Sequence, residues 1–570
     1  MHATVETPSA THARAIDNDV AMSGAPSSMP GRIWLCKSII CLICLPPLPP
    51  NTSAQMLLNV RQSYFYIEGQ DCDGNTPLCV KIERSFLLDE NRAERASHAA
   101  IDPCIEASFM NFGATIIRRL GAVRIGRVSA LSYSSAFALG IGLLLGGGAA
   151  NVYLTNSMIQ VLTLPTLLLA LLQLDWRTMQ PTAKLALWLI AAAALLVVVQ
   201  LIPLPPSIWT SLPFREKAVT GLGTIEAAIR WAPMSVTPEA TLIGALTLLP
   251  PLAVFLSVVS LSAPERLLLT LVPLAFGIAN AFVGLLQLSQ GHDSPGGAIE
   301  SVGLFNNRNH EAALLYSLIP FAAAWIGALT PSLSLRDNKY DSHAVIKLLA
   351  AGVAVFALIV ATLMARSRAG VILLMIALAG SMALQPWRSI SGDRTRAGGI
   401  FALLAVLALM LGLQYGLYRT FARFEDDPFA DARVTLARVT AKAALSAAPL
   451  GTGIGSFVPI YASIERLEDL VPDRYANHAH NDFLEFALET GAPGVSLIFC
   501  FGAWFLHRSR DVWRRFGPDA NLLMARAATV SIGLLMAHEL VDYALRTDAI
   551  LVFFAFASAL LVPPPRRAGA

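Results

Sequence analysis

From about residue 130 onward, the chain is a succession of apolar stretches separated by short polar connections. Most of these stretches approach the roughly 20 residues that an α-helix needs to cross the hydrocarbon core of a membrane. Hydrophobic residues make up 55% of the sequence and charged residues 14%, whereas soluble proteins carry about 25% charged residues. We therefore predict an all-α polytopic membrane protein with about 12 transmembrane helices. The predicted spans lie near residues 131–150, 155–174, 184–203, 240–261, 267–289, 310–329, 345–364, 369–386, 399–419, 483–506, 521–541 and 548–563.

The distribution of Arg and Lys predicts the orientation of these spans. Cytoplasmic connections are enriched in basic residues, and a cluster of arginines precedes the first predicted span. Alternate connections after that span also contain Arg or Lys, and no span has to be skipped to keep this pattern. Both termini are therefore predicted to be cytoplasmic. The basic residues concerned are Arg118, Arg119, Arg124, Arg127, Arg177, Lys184, Arg266, Arg336, Lys339, Lys347, Arg388, Arg394, Arg396, Arg508, Arg510, Arg514, Arg515, Arg566 and Arg567.

The same topology divides the chain into regions. Residues 116–419 are predicted to contain transmembrane helices 1–9, residues 420–482 a large outward-facing loop with short helices, and residues 483–570 helices 10–12 with a cytoplasmic tail. Residues 1–115 are polar and irregular, and we expect them to be a disordered extension or a stretch upstream of a later start codon. No function is assigned to them. The smaller outward-facing segments are 204–239, 290–309, 365–368 and 542–547.

Charge and cysteine content argue against two classes of function. The formal net charge of +3 is too small to indicate a nucleic-acid partner. Cys41 and Cys44 have a zinc-like spacing, but no second Cys or His pair stands at a matching distance. We therefore predict no metal site at these cysteines.

Several arginines lie on the outer side, against the usual bias. Arg308, Arg366 and Arg368 begin or connect predicted spans there, and Arg433 lies in the large loop. Each one alone could be an arginine whose stem lies along lipid while its guanidinium reaches a headgroup phosphate. Together they indicate an anionic, phosphate-bearing substrate at the outer surface, because a guanidinium binds phosphate through two parallel hydrogen bonds.

A second polar cluster, Asn477 to Glu485, closes the large loop at the start of the tenth predicted span. His480 could act as a general base, since an imidazole with a pKa near 6.5 accepts a proton at neutral pH. His478 and His480 could instead begin a metal site, although no further ligands of recognisable spacing accompany them. His480 could also be an ordinary loop histidine. The residues alone leave these readings open.

Three carboxylates follow on one stripe of the predicted helix, at Asp482, Glu485 and Glu489. Asp482 is predicted to cap the helix with Glu485 reaching back, and Gly491 with Pro493 predicts a bend. In a later span, His538, Asp542 and Arg546 recur at intervals of four residues. These three residues could form a supporting ion pair or line the same cavity as the three carboxylates.

These residues resemble the O-antigen ligase-like superfamily of bacterial membrane glycosyltransferases. Its signature of His-Asn, nine residues, Gly, two residues and Gly is present from His480-Asn481 to Gly491 and Gly494. Arg433 followed by Pro449-Leu-Gly-Thr-Gly-Ile-Gly-Ser-Phe457 is similar to a second family stretch. Phe305-Asn-Asn-Arg-Asn-His310 and Ser367-Arg-Ala-Gly370 are similar to two further signatures. The glycine-rich stretch lacks the lysine of a nucleotide-binding loop, and we expect it to form a tight turn.

The resemblance implies a catalytic His480 and a substrate site that includes Arg308, Arg368, Arg433, Asn309 and Asn481. It implies a glycan donor carried on undecaprenyl diphosphate, no metal or other cofactor, and inversion at the transferred sugar. The acceptor would be lipid A-core, a growing glycan or a protein. The enzyme would work among the lipids of the bacterial inner membrane, with its active site facing the periplasm.

Three family activities stay open, namely O-antigen ligase, polysaccharide polymerase and protein O-oligosaccharyltransferase. A lipid or solute transporter is the alternative from another class. The ionisable residues gather at the outer boundary rather than at mid-depth, and this placement favours the enzyme.

Overall fold

The computed structural model describes most of the chain from residue 128 onward and several strands before it. The chain forms two compact units, Met1–Pro103 and Cys104–Ala570. The first unit contains an antiparallel sheet in the order β1-β2-β3, formed by Gln55–Val60, Ser63–Gln70 and Cys79–Ser85. Whether residues 1–115 are an extension without function stays a prediction. The described residues are 55–60, 63–70, 79–85, 124–125, 128–148, 153–177, 179–289, 301–329, 342–384, 394–412, 428–466, 475–515, 517 and 519–565.

The second unit is helical, as the sequence predicts. Its short strands form two antiparallel pairs, β4 with β5 and β6 with β7. The strands are β4 Arg124–Ile125, β5 Val128–Ser129, β6 Pro203–Leu204 and β7 Ala232–Pro233. The helices are α1 Ala130–Leu145, α2 Tyr153–Gln173, α3 Pro181–Leu201, α4 Pro206–Trp209, α5 Glu216–Thr224, α6 Pro238–Leu246, α7 Leu249–Ser260, α8 Ala263–Leu269, α9 Leu271–Ser289, α10 Arg308–Leu329, α11 Ser342–Met364, α12 Arg368–Leu384, α13 Arg394–Gly412, α14 Pro428–Ala447, α15 Phe457–Ile464, α16 Asp482–Arg514, α17 Ala520–His538 and α18 Asp548–Leu560.

Among the described residues, eight helical segments are long and apolar enough to cross a membrane. They are Tyr153–Gln173, Pro181–Leu201, Pro238–Ser260, Ala263–Ser289, Arg308–Leu329, Val345–Met364, Asp482–Arg514 and Ala520–His538. Shorter apolar helices lie at the positions of the other predicted spans, at Ala130–Leu145, Arg368–Leu384, Phe401–Met410 and Asp548–Leu560. The chain is therefore a membrane protein of mainly helical structure, while the count of about 12 spans stays a prediction.

Helix α10 lies at the centre of this unit, and α3 lies at its edge. Within their apolar windows, 83% of α10 is buried inside the protein but only 17% of α3. Small residues let neighbouring helices approach α10 closely. A Cβ atom built on Gly370 of α12 would stand 2.9 Å from the Cβ of Ala312 in the first turns of α10. The N-terminal ends of α10 and α12 therefore lie side by side.

Helix α16 is broken where the sequence predicts a bend. Gly491 has φ 60° and ψ −153°, outside the helical region. Pro493 has no N–H group, and the N–H of Ala492 donates to the Pro449 carbonyl at 2.8 Å instead of continuing the helix. The carbonyls of Leu488 and Glu489, four residues before these two, therefore lose their usual helical partners.

The glycine-rich turn at residues 451–455 supplies the missing donors. The N–H groups of Thr452 and Gly453 donate to the two freed carbonyls, at 3.0 and 2.9 Å. Those of Ile454 and Gly455 donate to Gln200 Oε1 at 3.0 Å and to a carboxylate oxygen of α16 at 2.9 Å. Because these consecutive N–H groups all have protein acceptors, the turn stabilises the break in α16 rather than binding a phosphate.

We expect Gly491→Ala to destabilise the protein by more than about 1 kcal/mol, because an alanine at positive φ is strained. Its Cβ would also stand 2.2 Å from the Pro449 carbonyl oxygen. Thermal unfolding of the detergent-solubilised protein measures the effect. Gly502→Ala, in the same helix with open space around its Cβ, is the matched control. Equal melting temperatures for the two variants would contradict the prediction.

Candidate active site

The backbone of His480 is held in a rarely occupied conformation between two anchored neighbours. His480 has φ 51°, a left-handed value that costs a residue other than glycine energy. The Ala479 N–H donates to Glu485 Oε2 at 2.7 Å, and the Asp482 N–H donates to the Glu539 carbonyl at 2.9 Å. These contacts fix the direction in which the imidazole projects.

The imidazole of His480 contacts the carboxylate of Asp542. His480 Nδ1 lies 3.2 Å from Asp542 Oδ1, and the side chain of Asp542 is 1% exposed. The other oxygen, Oδ2, accepts a hydrogen bond from Asn309 Nδ2 at 2.5 Å. Burial alone would raise the pKa of Asp542, but the hydrogen bond with His480 and the nearby imidazoles of His310 and His538 hold it well below its usual range. Asp542 is therefore an ionised acceptor.

His478 forms a second pair of the same kind. Its Nδ1 lies 2.8 Å from Glu485 Oε1. The ring of Tyr543 lies between the two pairs, with its centroid 4.1 Å from that of His478 and 5.1 Å from that of His480. His310 contacts the same ring edge-on at 5.0 Å. Each of the two loop histidines is thus oriented by its own buried carboxylate.

The start of α10 lies beside the His480–Asp542 pair. Asn309, the second residue of α10, makes the hydrogen bond to Asp542, and Arg308 is the first residue of that helix. Arg368 is the first residue of α12, whose N-terminal turn lies beside that of α10. The Asn309 and Gly370 N–H groups in these turns already donate to Asn307 Oδ1 and Ser367 Oγ, but the helix dipole still favours anions at such ends. Two half-buried arginines therefore stand at helix ends suited to an anion, next to the His480–Asp542 pair.

Arg433 approaches the same region from the large loop. It lies on α14 and interacts electrostatically with His538. His538 Nε2 is itself 4.0 Å from Asp542 Oδ2. The Nε of Arg433 is buried without a hydrogen-bond partner among the described residues, so its guanidinium retains a donor.

Residues 353–499 match the family model described as O-antigen ligase. The resemblance to the O-antigen ligase-like superfamily is confirmed. The match covers α11 to the break in α16 and includes Arg368, Arg433 and His480. It supports a membrane glycosyltransferase of the O-antigen ligase or polymerase type, a group whose substrates are polysaccharides and lipid-linked glycans. No curated protein matches the chain.

Two predicted substrate-binding residues, Asn481 within the family segment and Asn309 before it, hydrogen-bond to other residues of the protein. Asn481, not Asp482 as predicted, caps α16, because its Oδ1 accepts the Leu484 N–H at 3.1 Å. Its Nδ2 donates to the Leu540 carbonyl at 2.9 Å. Asn309 acts on Asp542, as described above. Direct contact of Asn481 or Asn309 with a substrate stays a prediction.

His538, Asp542 and Arg546 do not lie on one face of a helix, although their spacing of four residues suggested it. Helix α17 ends at His538, and the following residues turn before a short 3₁₀ helix at Ala544–Arg546. Asp542 consequently contacts His480, whereas Arg546 contacts the carboxylates of α16. The sequence indicated Asp542 as a residue of a supporting ion pair or of the cavity, but no pattern paired it with His480.

We expect Asp542→Ala to destabilise the protein by about 1–3 kcal/mol at neutral pH, because buried donors lose their acceptor. The pKa of Asp542 is lowered, so its ionised form contributes stability above the unfolded pKa near 3.9, and this contribution is lost only as pH falls through the folded pKa. The difference in melting temperature from the wild type should therefore persist from pH 7 to pH 5.

Asp175→Ala, at an exposed position, is the control and should change stability by less than about 0.5 kcal/mol. If the destabilisation by Asp542→Ala disappears by pH 5, the carboxylate is protonated there and the assignment is wrong.

Proposed function

We propose that the protein transfers a glycan from undecaprenyl diphosphate to an acceptor hydroxyl at the outer face of the bacterial inner membrane. The observation that carries the proposal is the His480–Asp542 pair beside the N-terminal ends of α10 and α12. Those helix ends carry Arg308 and Arg368. A histidine–carboxylate pair and two arginines at helix N-termini in a membrane protein with an O-antigen ligase segment support this proposal.

His480 is the proposed general base. When its Nδ1–H donates to the ionised Asp542, Nε2 holds the lone pair that accepts a proton. The acceptor hydroxyl loses its proton to Nε2 as its oxygen attacks the anomeric carbon. The bond from that carbon to the diphosphate oxygen breaks, and the configuration of the sugar inverts. Asp542 stabilises the imidazolium that results, as a carboxylate does beside a catalytic histidine.

Arg308 and Arg368 are proposed to bind the diphosphate, and Arg433 to assist. The leaving group gains negative charge as the glycosidic bond breaks, and guanidinium groups placed beforehand stabilise that charge. A lipid diphosphate leaves as a stable anion, so the proposed reaction requires no nucleotide, metal or other cofactor. In the topology from the sequence analysis, both termini are cytoplasmic and these groups face the periplasm.

The acceptor distinguishes three forms of this proposal. The enzyme is a ligase if it uses lipid A-core, a polymerase if it uses a growing glycan, and a protein O-oligosaccharyltransferase if it uses a protein. Deletion of the gene separates them. The expected results are lipid A-core without polymer for a ligase, single repeat units for a polymerase and unmodified protein for the third activity. A transporter would instead leave the lipid-linked donor on the cytoplasmic leaflet.

We expect His480→Ala to reduce glycan transfer by about 100- to 10,000-fold, the usual contribution of a general base. The release of undecaprenyl diphosphate in permeabilised membranes measures transfer whatever the acceptor is. The amount of protein in the membrane should not change. His507→Ala removes an exposed histidine (66% of its side chain) from the far part of α16 and should leave activity unchanged. Full activity of His480→Ala would refute its role as base.

We expect Arg308→Lys and Arg368→Lys each to raise the KM for the donor roughly tenfold or more. Lysine keeps the charge but loses a charge-assisted hydrogen bond worth about 1.5–3 kcal/mol. The same release assay at varied donor concentration measures this change. Arg177→Lys, at an exposed arginine outside the site, is the control. A normal KM in both site variants would show that a simple positive charge is enough.

A further inference from the structure

Three carboxylates from one stripe of α16 converge on a single arginine. Arg546 Nε lies 2.5 Å from Asp482 Oδ1, its Nη1 lies 3.1 Å from Glu485 Oε1, and its Nη2 lies 3.1 Å from Glu489 Oε2. Both glutamates are 1% exposed, whereas Arg546 is 21% exposed. Three carboxylates placed so closely repel one another unless a cation lies between them.

The glutamates extend this arrangement to the proposed base and to the glycine-rich turn. Glu485 Oε1 is shared by Arg546 and His478, and Glu485 Oε2 accepts the N–H of Ala479, the residue before His480. Glu489 Oε1 accepts the N–H of Gly455 in the turn. Glu485 therefore links Arg546 to the backbone of Ala479, the residue directly before His480.

We propose that Arg546 is a positioning residue for His480. Through Glu485, Arg546 holds the backbone directly before His480 in place, and its positive charge offsets the negative charge of the three nearby carboxylates. The inference rests on the proposed function, because it gives the orientation of His480 a role in glycan transfer. Arg546 need not touch the substrate. Arg546 belongs to the segment between α17 and α18 that also carries Asp542. Its contacts with the carboxylates of α16 therefore also hold Asp542 in position relative to α16.

Two physical effects would follow from the loss of Arg546. Glu485 would lose one of the groups that fix it, and the left-handed backbone of His480 would relax. The cluster would also lose one positive charge, and a more negative surrounding favours a protonated imidazole. The base would then need a higher pH to act. The charged and titratable groups packed around His480 and its carboxylate neighbours are Asp542, Tyr543, Glu539, His478, Glu485, Asp482, Glu489, Arg546, His310, His538 and Arg433.

The experiment compares Arg546→Gln with the charge-compensated double variant Arg546→Gln/Glu489→Gln in the full-length protein. Release of undecaprenyl diphosphate in permeabilised membranes gives kcat and the donor KM from pH 5.5 to 9. Arg510→Gln, an exposed arginine at the far end of α16, is the matched control. His480→Ala is measured in parallel.

For Arg546→Gln we expect kcat to fall on the order of 100-fold, as for a misplaced catalytic group, with an unchanged donor KM. The acidic limb of the pH profile should move to higher pH. The double variant should return that limb toward its wild-type position while kcat stays low, because the hydrogen bonds are still missing.

Two results would overturn the proposal. One is a wild-type kcat in Arg546→Gln, and the other is an equal loss at every pH, which indicates a structural role only. If the single variant does not accumulate in the membrane, the double variant decides, and a wild-type kcat there also overturns the proposal. Activity in His480→Ala would refute the base itself, whereas an inactive His480→Ala beside a normal Arg546→Gln refutes only the present inference.

Discussion

The break in α16 at Gly491 is the constraint on which the rest of the site depends. Backbone groups near a membrane must find partners within the protein, and the break leaves the carbonyls of Leu488 and Glu489 without helical donors. The glycine-rich turn at residues 451–455 must therefore dock against α16. This contact joins the large loop to the first part of α16, and the residues that precede that helix include His480.

Ion pairs then hold the first part of α16 against the segment between α17 and α18. The first part of α16 carries three carboxylates, and Arg546 contacts all of them from the segment between α17 and α18. Partial burial would lower the pKa of Arg546, but the carboxylates hold it well above its usual range. The same segment supplies Asp542 to His480. One short stretch of chain thus orients the histidine and also balances the charge around it.

The sequence predicted what depends on local pattern and missed what depends on distant pairing. Apolar length predicted the membrane helices, and Gly491 with Pro493 predicted the bend in α16. The cap was assigned to Asp482 rather than Asn481, because both residue types cap helices well and a shift of one position is invisible to pattern. The pairing of His480 with Asp542 spans 62 residues, and only the packing of α17 against α10 and α16 determines it.

The conformation of His480 explains why changes around it should affect turnover before stability. A left-handed residue other than glycine costs about 1–3 kcal/mol, and a helix cap such as that of Asn481 contributes about 1 kcal/mol. A hydrogen bond to a charged group such as Glu485 contributes about 1.5–3 kcal/mol. The strain and each single anchor are thus of similar size. Loss of one anchor lets His480 move while the remaining contacts keep the helices packed, so the geometry of the proposed base is more sensitive than the fold.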